Sequence, residues 1–325
     1  SYLIYFVQAL ILSLYLKPKI IVGTSSKLFT GFLASISAKI NNAKLFLDIR
    51  DTFVDNYFYF YRWKKRIYLI SLFILIENIT IRNCHSINLV SKGFINSYCK
   101  WDKIIKKNSI KLTNFTNGID NELILKIKQE VHKKSSYKNE SYRIAYAGNI
   151  GECQDLVTII KKLNNLKEKI NLLKRNNVLI HLYGSGNQLS SIKNILSKNN
   201  NNISDIIEYK GLIKKENITD IYQNCECLIL QLGNYNSLSM VIPTKVLEYS
   251  ATNYPILYSA SGFTKEFISK INGTVEYKSN DINSLIKAID IARKTSVNTK
   301  ERDEFLKSYS SKKIYKLYGE YILNS

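Results

Sequence analysis

Lys245 and Glu248 stand three residues apart in the segment Val241-Ile242-Pro243-Thr244-Lys245-Val246-Leu247-Glu248-Tyr249. On a helix that spacing puts both side chains on one face. Pro243 suits a first helical turn, where the N–H groups of Thr244 and its successors are free to receive an anion. A cation for phosphate and a carboxylate for a ribose diol are what a nucleotide diphosphate asks of a site. Taken in isolation, the pair reads first as an exposed helix salt bridge. Three glycine turns carry the same ambiguity: Gly148-Asn149-Ile150-Gly151, Gly184-Ser185-Gly186 and Gly211. Each lets backbone approach a phosphate closely, and each is also an ordinary tight turn. A fourth group, Asp48, Arg50 and Asp51, follows an expected strand. There it would face a sugar or an acceptor, or else cap a loop and form a local ion pair.

The elements that must position these residues alternate. Short β-branched runs at 19–23, 44–48, 86–90 and 110–114 are separated by helix-period stretches at about 28–40, 62–82 and 92–99. A second series has strands at 143–147, 178–183, 206–209, 226–231, 255–258 and 273–276, and Ile314, Leu317, Tyr318, Tyr321 and Ile322 repeat at helical spacing near the end. The pattern is that of parallel sheets covered by helices. It divides the chain into a domain at 1–125, a charged Lys/Asn/Ser-rich linker at 126–142, a second domain at 143–308 and a terminal helix at 309–325. Every glycine turn above follows a strand of the second series. Residues 1–16 are almost wholly apolar but short of the roughly 20 a spanning helix needs, so a buried helix is expected ahead of a membrane segment.

Bulk properties bound the partners. The chain has 325 residues and a formal charge of +21, which implies an anionic partner and also follows from the Lys, Asn and Ile bias of an AT-rich genome. The five cysteines, with Cys225 and Cys227 one residue apart, make neither a disulfide framework nor a zinc set, and a reducing cytoplasm fits them. No metal-binding Asp-x-Asp motif is present. A dinucleotide-dependent oxidoreductase is disfavoured, because Leu189 stands where the third glycine after Gly184-Ser185-Gly186 would be. Nucleic-acid binding has only the charge behind it.

In order along the chain, Ala145-Tyr146-Ala147-Gly148-Asn149-Ile150-Gly151, Gly184-Ser185-Gly186, Tyr209-Lys210-Gly211-Leu212-Ile213 and Ile242-Pro243-Thr244-Lys245-Val246-Leu247-Glu248-Tyr249 resemble the donor domain of family-four, retaining GT-B glycosyltransferases. The nearest likeness is to bacterial O-antigen and capsule enzymes, including N-acetyl-fucosamine transferases. Val22 to Gly31, Leu47-Asp48-Ile49-Arg50-Asp51 and Asn117-Gly118-Ile119-Asp120 resemble first-domain segments of the same family. The resemblance implies two Rossmann-like α/β domains with parallel sheets facing across a cleft, the first of them lacking its opening strands here. It implies a metal-independent transfer, without cofactor, from a nucleotide sugar (a UDP-linked N-acetylated one by similarity) to a polyprenyl-diphosphate-linked acceptor. Donor contacts then fall on Gly148, Asn149, Gly151, Gln154, Gly184, Ser185, Gly186, Ile213, Pro243, Thr244, Lys245 and Glu248. Lys245 would be the catalytic cation, with Asp48, Arg50 and Asp51 beside the sugar. Two departures stand out. Met240 occupies the place of the family's first glutamate, and Asn149 and Gln154 replace the usual basic grip on the diphosphate. The rival reading is a non-catalytic GT-B subunit that binds a partner enzyme or a membrane. The run from Tyr57 to Tyr68 mixes aromatic and basic residues, and the expected location is therefore the inner face of a bacterial cytoplasmic membrane, held peripherally on its anionic surface.

Overall fold

Runs of Ile, Leu and Val bounded by Gly, Asn and Pro form parallel strands here because helices cover both faces of each sheet and demand apolar residues on both. The computed structural model describes residues 2–25, 27–52, 54, 67–132, 141–198 and 200–325. The fold is α/β, with two all-parallel sheets in two units, one of residues 1–117 and 314–325 and the other of residues 118–313. Each strand lies where the sequence places it, with ends shifted by a residue or two. The aromatic and basic run sits mainly in residues 55–66, which lie outside the described residues.

The first unit holds β1 (Ile20–Thr24), β2 (Lys44–Ile49), β3 (Cys84–Leu89) and β4 (Lys111–Thr113), hydrogen-bonded in that order. Leu45, Phe46, Leu47 and Ile49 of β2 are all buried, as a strand paired on both edges requires. The stretch expected as a helix at 92–99 is a 3-10 helix, Lys92–Trp101, continued by an α-helix at Asp102–Lys107. The C-terminal helix Ser311–Asn324 joins this unit from Ile314 onward. The Tyr318 hydroxyl donates to Asp48 Oδ1 at 2.7 Å, the Tyr321 and Ser86 hydroxyls are 3.0 Å apart, and Phe115 stacks on Tyr318 with centroids 4.9 Å apart.

Helix Tyr2–Leu16 leads into β1 as expected, but it is not buried: Ile11, Tyr15 and Leu16 are more than half exposed. Its apolar residues run round the whole circumference, so a single neighbouring helix, Leu28–Ile40, can cover only one side. Among the described residues no helix is long and apolar enough to cross a membrane.

The second unit carries β5 (Tyr142–Ala147), β6 (Val178–Tyr183), β7 (Ile207–Gly211), β8 (Cys227–Gln231), β9 (Ile256–Ser259) and β10 (Thr274–Glu276). Their order is β10-β9-β8-β5-β6-β7. Alternate residues of β5 enter opposite layers, Ile144 and Tyr146 into one core and Ala145 and Ala147 into the other. Strand order reverses at β5, which lies between β6 and β8, and in open α/β sheets ligands bind beyond the carboxyl ends of strands at such a point.

The expected linker is corrected by helix Asn121–His132, which occupies its first half. Ile124, Ile127 and Val131 are buried along one stripe of that helix, a periodicity that the surrounding Lys and Glu conceal in a composition-based reading. Residues 133–140 lie outside the described residues. The boundary therefore falls at Asn117/Gly118 and again at Lys313/Ile314, not at 125 and 309. Ile119 N–H donates to Tyr309 O at 2.8 Å and Ser311 N–H to Ile119 O at 2.9 Å. A Cβ on Gly118 would sit 2.6 Å from Tyr309 O, so this close approach needs glycine.

Candidate functional site

Parallel strands bring their carboxyl ends to one edge, and in the second unit those ends are the glycine turns. Gly148 N–H donates to Tyr183 O at 3.1 Å, Ile150 N–H to Ser185 O at 2.7 Å and Gly184 N–H to Gly211 O at 3.0 Å. The three turns are thus joined backbone to backbone. Gly184 has φ +131°, and a Cβ there would lie 1.9 Å from Gly148 O, so no other residue fits. Tyrosine hydroxyls brace the turns from below: Tyr146 donates to Asn149 O at 2.5 Å and Tyr209 to Gly184 O at 2.9 Å.

Helix Thr244–Ser250 closes the site, with Pro243 as its N-cap instead of its first helical residue. Helical periodicity sorts its residues cleanly: Val246, Leu247, Tyr249 and Ser250 are buried, while Lys245 and Glu248 share the open face. Lys245 Nζ donates to Glu248 Oε2 at 2.8 Å. The Tyr249 hydroxyl donates to Ala147 O at 3.3 Å and accepts from Ala147 N–H at 3.2 Å, tying the helix to the end of β5.

These elements enclose a cavity of about 360 Å³, within the range of small-molecule sites. Gly148, Asn149, Gly184, Ser185, Ile213, Lys245 and Glu248, all singled out from the sequence, line it. Gly151, Gln154, Gly186, Pro243 and Thr244 belong to the same loops but do not line the cavity. Gln154 Oε1 instead accepts from Asn149 Nδ2 at 3.0 Å and from Gly151 N–H at 3.2 Å, so it braces the first turn. Lys245 and Glu248 are the charged groups of the lining. Leu123, Ile218 and Ile221, which extend Leu212 into an apolar wall, were missed. Their signal in the sequence was slight, since apolar residues on helices read as core.

The family described as glycosyl transferases group 1 matches residues 127–311, more than half of the chain and nearly all of the unit that carries this cavity. The chain belongs to that family. No curated protein matches it in sequence. Among solved structures, HepE from Anabaena in complex with UDP is 11% identical over 94% of this chain and 79% of its own, with a TM-score of 0.64. The lipopolysaccharide outer core galactosyltransferase WaaB is 11% identical over 99% and 81%, with a TM-score of 0.60. A UDP-forming trehalose-phosphate synthase from Burkholderia xenovorans is 8% identical over 98% and 77%, with a TM-score of 0.70. At such identities the likeness is one of fold, and that fold is GT-B.

In the first unit, the residues at the end of β2 differ in how open they stand. Asp48 is 8% exposed, and its Oδ1 already accepts from Asn88 Nδ2 at 3.1 Å and from the Tyr318 hydroxyl. Arg50 lies 3.7 Å from Oδ2. Asp48 therefore anchors the C-terminal helix instead of standing open to a sugar. Arg50 and Asp51 are exposed at the end of β2.

Proposed function

We propose that this chain moves a sugar, with retention of anomeric configuration, from a nucleotide-diphosphate donor to a polyprenyl-diphosphate-linked acceptor in bacterial surface polysaccharide synthesis. One observation carries the reading: Lys245, Glu248 and the first two of the interlocked glycine turns line a single cavity at the strand-order reversal of the second sheet. Leu212, Ile213, Ile218 and Ile221 form the wall against which a base stacks. Glu248 accepts from the ribose hydroxyls. Lys245 leaves Glu248 for the diphosphate, because a helix pair three residues apart, here half-buried, is worth about 1 kcal/mol or less and a doubly charged leaving group attracts it more strongly.

Breaking the glycosidic bond increases negative charge on the departing diphosphate, and a cation already in place stabilises that charge without reorganisation. Since Asn149 and Gln154 make the first turn neutral, that duty falls on Lys245, and the reaction runs without a metal ion. Arg50 and Asp51 are assigned to the acceptor side. UDP is the favoured nucleotide, in line with the UDP seen in HepE, and an N-acetylated sugar is the favoured cargo. The charge of +21 supports peripheral attachment to an anionic inner membrane surface.

Turnover of a panel of UDP-, GDP- and dTDP-sugars by the full chain tests the reading. Release of UDP from a UDP-N-acetyl sugar is expected. Turnover of none of them would favour the non-catalytic GT-B subunit.

A further inference from the structure

Glu248 is held from behind by a residue that does not reach the cavity. Tyr222, on helix Ile218–Gln223, is 0% exposed, and its hydroxyl donates to Glu248 Oε2 at 3.1 Å. Lys245 Nζ donates to that same oxygen. Both protein donors thus load Oε2, and Oε1 accepts no hydrogen bond among the described residues. The Tyr222 ring packs edge-on against Tyr249, with centroids 5.9 Å apart and planes at 87°, and Tyr249 is in turn fixed to the backbone of Ala147. One short helix serves both sides of the site: Ile218 and Ile221 line the cavity while Tyr222 stands behind the carboxylate.

Resting on the reading of Glu248 as the ribose ligand, we infer that Tyr222 is a positioning residue that fixes the Glu248 carboxylate so that Oε1 faces the donor's 2′,3′-diol. When Lys245 turns to the diphosphate, Tyr222 is the donor that stays, so the carboxylate keeps one charge-assisted hydrogen bond and its orientation. Burial, reinforced by the neighbouring Glu248 charge, pushes the Tyr222 phenol well above its ordinary range, so it remains a donor at any working pH. Without it, Glu248 would be free to rotate and to share both oxygens with Lys245. The nucleotide would then bind with less regard for its sugar.

The test compares UDP with 2′,3′-dideoxy-UDP, with the GDP pair run alongside, by titration of the full chain. Wild type is expected to favour the diol by roughly tenfold or more, the scale of a hydrogen bond to a charged group. Tyr222→Phe keeps the ring and its packing. It is expected to cut that preference to about threefold or less while leaving affinity for the dideoxy nucleotide unchanged, since only the diol contact is lost. In a Glu248→Gln background the same change is expected to do nothing further. Full discrimination in a folded Tyr222→Phe variant would overturn the positioning role while leaving Glu248 on the ribose. Absence of discrimination in wild type would overturn the ribose assignment itself, and this inference with it. If Tyr222→Phe does not fold, 3-fluorotyrosine at position 222, which keeps the hydroxyl and makes it a stronger donor, replaces it. Discrimination above wild type supports the role, and an unchanged value or a fall contradicts it.

Discussion

Lys245 has a carboxylate three residues away, the proposed function adds the diphosphate of a bound donor, and the two give opposite expectations for its removal. If it serves only Glu248, Lys245→Ala costs about 1 kcal/mol of stability or less and leaves turnover alone. If it meets the leaving group, kcat falls roughly 30- to 1000-fold, the range for losing a charge-assisted contact worth about 2–4 kcal/mol in a partly dry site. The second outcome is expected from steady-state kinetics on the folded variant. Glu248→Gln is expected to raise the donor KM more than it lowers kcat, because the proposed ribose contact would be made in ground and transition states alike. That Lys245 and Glu248 share one open helix face was legible in the sequence, since charge type and helical spacing are local properties. Tyr222 was not. Nothing in Ile-Thr-Asp-Ile-Tyr-Gln separates a buried phenol facing a carboxylate from an ordinary core tyrosine; the pairing exists only after two helices meet. Asp48 misled in the opposite way, because the partner that claims it, Tyr318, comes from the far end of the chain.

The glycine turns act as a unit, and their residues differ in what they tolerate. Gly184→Ala would drive a methyl group into Gly148 O and impose a side chain at φ +131°. It is expected to abolish nucleotide binding and to lower the melting temperature. Gly211 has φ +101° but open space within 4 Å of a Cβ, so Gly211→Ala meets backbone strain alone. Its expected cost is about 1–3 kcal/mol, with weakened binding rather than none. Thermal melts with and without UDP rank the two. On β6, His181 is lowered from its usual value by burial and then by the Lys210 charge, with Arg143 acting the same way and Glu208 and Glu226 opposing. Between the lowered folded value and the ordinary 6.5, the unfolded chain binds a proton that the folded chain refuses. Stability from this residue therefore falls as pH drops through that window and levels off below it. His181→Gln is expected to flatten that part of the melting temperature's pH profile; an unchanged slope would contradict the burial argument. Strands were legible because apolar runs of four to six residues between turn signals have few other uses. Helix Asn121–His132 was not, because its three buried positions are spaced through a run whose composition reads as solvent-loving.

At the scale of the whole molecule the chain builds two units, and its last helix serves the first of them from Ile314 onward. Tyr318→Phe removes a hydrogen bond from the buried Asp48 and is expected to cost the first unit about 1–3 kcal/mol. In a Trp63→Phe background the remaining Trp101 is buried in the first unit, so Trp fluorescence follows that unit while circular dichroism follows both. The fluorescence transition is expected to move to lower temperature, with the remaining dichroism transition unmoved. Equal shifts in both would mean that the units unfold as one. GT-B architecture was legible from the order of motifs, whereas the return of the chain to the first unit at Ile314 was not, since helical periodicity says that a face is buried and not against what. The central claim, that a nucleotide diphosphate binds where the strand order reverses in the second sheet, is tested most directly by hydrogen exchange of the full chain. The exchange is compared with and without whichever of UDP and GDP stabilises the fold. Slowed exchange at 148–151, 184–186, 211–213 and 244–248 is expected, and bound nucleotide with protection confined to other segments would contradict the account.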